Sequence, residues 1–297
     1  KYLKYYSVEN SRKIYESVSF DIIYSKDATT NYRVSIKGTK DINNFLNFIH
    51  YRKNNKIFNL LATDYKDKEN FEFIKKIKDT KKIKDFDEYD IRFRVANEAP
   101  LDSKDIDILS SIPFSDSGKI YFRYKQRLTL EIKDNIVIDL TIVKGSNNLN
   151  TINSADKSYE LEIEYLNKNN SKNDLDTLIN EMIKIKKILN DTTILISKEE
   201  ATKVLQDYKN LVYDNNNTNF TNLYSMQPIS SEVQHVIDNI PNVYSATDKA
   251  DGDKYQLYIH KNGGYLLSNN LDTKKISLKL DNIKDTIVEG ELIFLPD

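Results

Sequence analysis

Five segments of the chain alternate ionisable and apolar side chains with a period of two, and this alternation limits the possible folds more than any other feature. Successive side chains of a β-strand point to opposite sides of a sheet, so each segment predicts a strand with one charged and one apolar face. Residues 120–132 place three cations on one face, namely Arg123, Lys125 and Arg127. Residues 159–165 place three carboxylates on one face, namely Glu160, Glu162 and Glu164.

Three further strands follow the same pattern. Arg33 lies on the polar face of residues 32–37, Arg94 on that of residues 90–96, and Asp139 and Thr141 on that of residues 136–143. Helical spacing of apolar residues predicts helices at 41–51, 175–189 and from 198 to about 212, whereas the Lys/Asp-rich stretch 63–88 predicts solvated turns and a short helix. The predicted fold class is α+β, an antiparallel β-barrel covered by helices and followed by an incomplete α+β domain.

Two arrangements fit the charged faces. One is an open antiparallel sheet with a solvated face, on which opposite charges on neighbouring strands pair. The other is a closed barrel with the apolar faces outward, under the helices at 175–189 and 198–212, and with the charged faces lining a lumen. Such a lumen would suit a polyphosphate, because carboxylate oxygens bind divalent metals and Arg and Lys bind phosphate oxygens.

Composition excludes several other chemistries. The chain has no cysteine and three scattered histidines, so thiolate, disulfide and multi-histidine sites are not expected. Its formal net charge of −1 predicts no bulk attraction to nucleic acid, so any contact with nucleic acid would have to come from local sites. We expect no membrane span, because no apolar run is long enough.

The polar run at 214–219 predicts a linker, because it offers no residue that could join a core. We therefore expect a first domain at 1–213, a linker at 214–226 and a second domain at 227–297. The second domain is predicted to contain a short helix near 230–239 and strands at 254–259, 264–268 and 286–295.

The second domain contains Lys-Ala-Asp-Gly at 249–252 and Glu-Gly-Glu at 289–291. These two motifs resemble those of the covalent nucleotidyltransferases, the capping guanylyltransferases and the polynucleotide ligases. The resemblance implies that Lys249 is the nucleophile that forms a lysyl–nucleotide bond, and that the nucleotide is bound by Asp251, Gly252, Lys254 and Glu291. Lys254 and Glu289 depart from the Arg and Asp usual in the family. The later motifs are missing, so we expect this part to be incomplete.

The order of the charged strands is similar to that of the triphosphate tunnel metalloenzymes. The resemblance implies metal binding by Glu162 and Glu164, with Glu160 as a third carboxylate in the tunnel. It implies phosphate binding by Arg123, Lys125 and Arg127, with Arg33 and Arg94 as further candidates, and it makes Asp139 and Thr141 tunnel-lining. The second Glu-x-Glu pair of the family is not found before Arg33. We expect that strand upstream of Lys1, and therefore expect reduced or no triphosphatase activity.

Together the two modules resemble the mRNA capping enzymes of large nucleocytoplasmic DNA viruses. The resemblance implies hydrolysis of the γ-phosphate of 5′-triphosphate RNA with Mg²⁺ or Mn²⁺, followed by transfer of GMP from GTP through Lys249. It also implies a cap methyltransferase domain or subunit as partner, and a location in the cytoplasmic virus factory or the virion.

Two alternatives stay open on the sequence alone. The chain could be a fragment of an ATP-dependent polynucleotide ligase whose first 213 residues bind nucleic acid, in which case the lysine would carry AMP instead of GMP. It could also be a non-enzymatic interaction domain, in which case the charged faces would lie on a flat, solvated sheet.

Overall fold

The structure is a computed structural model that describes residues 13–51, 57–65, 68–113, 119–133, 135–166, 173–213, 221–225, 232–234, 251–278, 280 and 282–293. The chain divides into two compact units, Lys1–Met182 and Ile183–Asp297. None of the helices in the described ranges is both long and apolar enough to cross a membrane.

An antiparallel sheet dominates the first unit. Among the described residues, its seven strands lie in the order β4-β3-β2-β1-β5-β6-β7. In chain order the strands are β1 (Ile14–Ser25), β2 (Thr30–Lys37), β3 (Phe71–Phe86), β4 (Ile91–Pro100), β5 (Ile120–Lys133), β6 (Ile136–Ser146) and β7 (Lys157–Tyr165).

The register brings the predicted charged faces to one side of this sheet. Thr141 of β6 lies opposite both Arg127 of β5 and Glu160 of β7, and directly opposed residues share a face. On β1, Asp21 lies opposite Arg123. The prediction of an antiparallel sheet with one charged and one apolar face is therefore confirmed.

The apolar face of the sheet forms the core with three helices, α1 (Thr39–Tyr51), α2 (Ile57–Asp64) and α3 (Ser103–Ser111). Fully buried strand residues such as Phe20, Tyr32 and Ile36 pack in one cluster with Phe45 of α1 and Leu109 of α3. Burial of such aromatic and aliphatic side chains is the main force that holds helices on a sheet. The prediction that the helix at 198–212 covers this face is wrong, because that helix packs in the second unit.

The sheet curls into a half-barrel with the charged face inside. Its edge strands are β4 and β7, which are not neighbours in the backbone pairing of the described residues. A side-chain ion pair joins them instead, with Arg94 Nη2 of β4 2.6 Å from Glu162 Oε1 of β7. The predicted curling around a charged lumen is confirmed, but the strands that the structure describes form a half-barrel and not a fully closed barrel.

The second unit contains a sheet in the order β10-β9-β8-β11 among the described residues. Its strands are β8 (Asp253–His260), β9 (Gly263–Ser268), β10 (Thr273–Ile276) and β11 (Thr286–Leu292), and α5 (Lys198–Val212) packs on it. Ser197 caps α5 by accepting a hydrogen bond from Glu200 N at 3.0 Å.

The boundary between the units differs from the predicted one at residue 213. It falls between Met182 and Ile183, inside α4 (Asn173–Leu189). The reason is the apolar side of α5, where Val204 and Tyr208 are buried against Tyr258 and Leu267. In the predicted linker, Leu223 joins the same cluster, whereas residues 214–220 and 226 lie outside the described residues.

One prediction of local structure is wrong, and a second falls mostly outside the described residues. The stretch 63–88 was predicted as turns, but residues 71–86 form the longest strand of the sheet, β3. Its backbone pairs with β2 and β4, so neighbouring strands and not its own composition determine its conformation. Most of the predicted helix at 230–239 lies outside the described residues.

Candidate metal and phosphate site

Three carboxylates meet on the inner face of β6 and β7. The oxygens of Asp139, Glu162 and Glu164 lie within 4.8 Å of one another. Asp139 lies directly opposite Glu162, and Glu164 follows two residues later on the same face. Burial, together with the negative charges of Asp139 and Glu162, raises the pKa of Glu164. A set of hard oxygen donors that repel one another suits a divalent cation such as Mg²⁺ or Mn²⁺.

The carboxylates in this cluster are not the three that the sequence predicted. Glu162 and Glu164 were predicted as metal ligands, and they do lie together. Glu160, predicted as the third carboxylate, instead forms an ion pair with Arg123, at 2.6 Å between Oε2 and Nη2. Asp139, predicted only as tunnel-lining, takes the third place and is 2% exposed.

Arg127 links the cations to this cluster. Its Nη1 lies 2.7 Å from Asp139 Oδ2 and its Nη2 lies 3.5 Å from Glu162 Oε2. Its Nε donates a hydrogen bond to Thr141 Oγ1 at 3.0 Å. On the other side, Thr129 Oγ1 donates to Asp139 Oδ1 at 2.5 Å. These contacts fix the orientation of the Asp139 carboxylate and keep a guanidinium group beside the carboxylate cluster.

Lys125 lies deeper, in a buried ion pair with Asp21. The distance between Lys125 Nζ and Asp21 Oδ2 is 2.5 Å, and Ser35 Oγ donates to Asp21 Oδ1 at 2.8 Å. Burial lowers the pKa of Lys125, although the Asp21 charge opposes this shift. The sequence alone gives Asp21 no role, yet it is the counterion of Lys125, a predicted phosphate-binding residue.

The wall formed by β2, β3 and β4 contributes a further cationic group. Glu98 of β4 accepts from Arg33 at 3.0 Å and from Lys76 of β3 at 2.7 Å. Burial alone would raise the pKa of Glu98, but the two cations outweigh it and the pKa is lowered. Sequence reasoning missed Lys76 because it treated residues 63–88 as turns, and missed Glu98 because the predicted strand ended at residue 96.

The nucleotidyltransferase motifs of the second unit are only partly within the described residues. Lys249 lies outside them. Glu291 Oε2 accepts a hydrogen bond from the Gly252 backbone N–H at 3.0 Å, so the two motifs meet. A Cβ at Gly252 would lie 2.5 Å from the Leu292 carbonyl oxygen, which explains the glycine. Lys254 pairs with Glu289 and donates to Ser225 Oγ at 2.6 Å, and Asp251 is exposed.

A curled antiparallel sheet with opposed carboxylates and cations on its inner face defines the triphosphate tunnel class of fold. Comparison with known proteins extends this assignment. The chain is 32% identical over 292 residues to the probable mRNA-capping enzyme of Acanthamoeba polyphaga mimivirus, in a match that covers 97% of this chain and 24% of the relative. The chain is thus a homologue of a viral mRNA-capping enzyme and spans about a quarter of its length.

Two solved structures resemble part of this chain. The RNA triphosphatase domain of the trifunctional mimivirus mRNA capping enzyme is 25% identical to this chain, with a TM-score of 0.49. The match covers 62% of this chain and 79% of that chain. The S. pombe Pct1 RNA triphosphatase is 14% identical to this chain, with a TM-score of 0.34. The match covers 61% of this chain and 54% of that chain. No family model matches the sequence.

Proposed function

We propose that the first unit is a divalent-metal-dependent RNA 5′-triphosphatase that removes the γ-phosphate of 5′-triphosphate RNA. The observation that carries this proposal is the carboxylate cluster of Asp139, Glu162 and Glu164 beside the guanidinium groups of Arg94 and Arg127. Homology to a viral mRNA-capping enzyme supports the choice of RNA as substrate.

The cationic residues would bind the triphosphate by exchanging partners. Arg123, Arg127 and Arg94 each contact a carboxylate oxygen at 2.6–2.7 Å. Phosphate oxygens accept from a guanidinium group at similar distances, so a phosphate chain in the lumen could replace these carboxylates. Arg33 and Lys76, held by Glu98, would contact the chain from the opposite wall. Lys125 would stay bound to Asp21, whose charge balances its own.

The carboxylates would divide two tasks. Asp139, Glu162 and Glu164 would hold a cation, which when bound neutralises charge on the terminal phosphate and polarises it. Glu160 lies outside the cluster, and its carboxylate would accept the proton of the attacking water. The missing second acidic strand led to an expectation of an incomplete site. We propose that the three carboxylates present can hold the cation, because Mg²⁺ is commonly held by one or two carboxylates together with substrate phosphates and water.

Because Asp139 supplies a third carboxylate, we replace the expectation of reduced or no activity: this chain should release inorganic phosphate from 5′-triphosphate RNA in the presence of Mg²⁺ or Mn²⁺. Chelation by EDTA should abolish the release, and readdition of the metal should restore it. RNA with a 5′-monophosphate is the matched control, because it lacks the γ-phosphate. Metal-independent release, or equal release from both RNAs, would count against the proposal.

We further propose that Lys249, in the intact protein, attacks the α-phosphorus of GTP, releases pyrophosphate, and passes the bound GMP to the diphosphate end of the RNA. The contact between Gly252 and Glu291 favours this second activity, because it brings the two nucleotidyltransferase motifs together. Incubation of the intact protein with radiolabelled GTP should give an acid-labile protein–GMP adduct that Lys249→Met removes and Lys261→Met retains. Labelling by ATP instead of GTP would favour the ligase alternative.

A further inference from the structure

The outer face of β5, β6 and β7 holds a polar cleft on the side of the sheet away from the carboxylate cluster. The cleft has a volume of about 330 Å³ and is lined by Tyr124, Gln126, Ile142, Lys144, Asn153 and Lys157. Side chains alternate along a strand, so Tyr124 and Gln126 point away from the lumen that Arg123 and Lys125 face. The cleft is therefore separate from the proposed triphosphatase site.

Two lysines oppose each other in this cleft. Lys144 of β6 and Lys157 of β7 are direct partners in the strand register. Like charges in directly opposite positions destabilise a sheet, so such a pair favours an anion between or above the two ammonium groups. Lys144 Nζ donates to the Asn153 carbonyl oxygen at 2.5 Å, and within the described part of the chain neither lysine forms an ion pair with a carboxylate.

Aromatic rings flank the two lysines. Tyr124 is the direct neighbour of Lys144 on β5. Tyr159 follows Lys157 by two residues on the same face, lies opposite Ile142, and is 77% exposed. A largely exposed ring beside paired cations matches the chemistry of single-stranded nucleic acid, whose bases stack on aromatic side chains while lysines contact the phosphates.

We propose that this cleft binds a single-stranded polynucleotide, with its phosphates at Lys144 and Lys157 and a base stacked on Tyr159. We take the bound polynucleotide to be the RNA whose 5′ end enters the lumen, and this identification rests on the proposed triphosphatase function. The topology connects the two places, because β7 is an edge strand among the described residues, with Glu160 on its inner face and Tyr159 on its outer face. An RNA chain that crosses this edge would contact both.

The test is the binding of a fluorescent 5′-hydroxyl oligoribonucleotide to the whole chain, followed by anisotropy. Lys157→Glu and Tyr159→Ser should each weaken binding at least about fivefold. Lys157→Ala should lower the slope of log affinity against log salt by about 0.7, the value for one phosphate contact on a single strand. Lys40→Glu, the same charge change at an exposed lysine of α1, should leave the affinity unchanged.

The proposal would be overturned by no measurable binding, by equal affinity of the wild type and the cleft variants, or by the same weakening in Lys40→Glu. Displacement of the RNA by equimolar inorganic phosphate would also overturn it, because the cleft would then bind only a free anion. The oligonucleotide has no triphosphate, so its binding does not depend on hydrolysis. If the wild-type chain bound the oligonucleotide but released no phosphate from 5′-triphosphate RNA, the triphosphatase function would be refuted and the proposed RNA-binding cleft would not.

Discussion

The double variant Glu162→Gln/Glu164→Gln is expected to release γ-phosphate at least about a hundredfold more slowly than the wild type. Glutamine keeps the volume and the polar character of both side chains but removes the two negative charges that would hold the cation. Loss of a group that stabilises developing charge commonly costs two to three orders of magnitude in rate. Phosphate release from 5′-triphosphate RNA, measured at saturating Mn²⁺, gives the number directly.

The control for this variant is Glu16→Gln. Glu16 lies on β1 of the same sheet but is exposed and opposite Leu128, on the outer face. Its replacement should leave phosphate release unchanged. Thermal denaturation should confirm that the double variant is folded, because the variant removes the ion pair of Glu162 with Arg94 as well as the repulsion within the carboxylate cluster. A double variant that is folded and fully active would refute the role of these carboxylates.

The second large effect concerns stability and arises from the buried ion pair. Lys125→Met should lower the free energy of unfolding of the first unit by about 3–5 kcal/mol, because it leaves the Asp21 carboxylate buried without a counterion. The side chain of Asp21 is 1% exposed and that of Lys125 is 11% exposed, so water cannot compensate fully. Thermal or urea denaturation followed by circular dichroism would measure the loss.

The double variant Asp21→Asn/Lys125→Met separates this effect from a general packing defect. Both charges are then absent, and the amide oxygen of the new side chain can still accept the hydrogen bond from Ser35, so most of the lost stability should return. Replacing both members of a buried pair is often nearly neutral, whereas removing one is not. If the single variant were as stable as the wild type, or the double variant less stable than the single one, the Asp21–Lys125 pair would not have the proposed role in stability.

The sequence predicted the charged faces well because a strand's alternation is a local property. Arg123, Arg127, Glu160 and Glu162 could be assigned to one side of a sheet from spacing alone. The residues that these side chains contact could not be predicted in this way, because contacts between strands depend on the register of the strands. Asp139 joins Glu162, and Glu160 pairs with Arg123, only because β5, β6 and β7 align as they do.

Long-range contacts explain the other failures. The charged stretch that became β3 has little alternation of its own, and its pairing with β2 and β4 determines its structure. That error hid Lys76 and, with it, the pair of cations that hold Glu98. The helix at 198–212 was correctly predicted as a helix with one apolar side, but amphipathic spacing does not state which sheet that side will bury.

The most direct test of the account is the position of a metal ion in the lumen. Crystals of the chain grown with Mn²⁺ and a non-hydrolysable triphosphate analogue should show an anomalous peak in contact with Asp139, Glu162 and Glu164, with the phosphate chain against Arg123 and Arg127. A triphosphate bound elsewhere, or a lumen in which these three carboxylates contact no ion at saturating Mn²⁺, would contradict the proposed site.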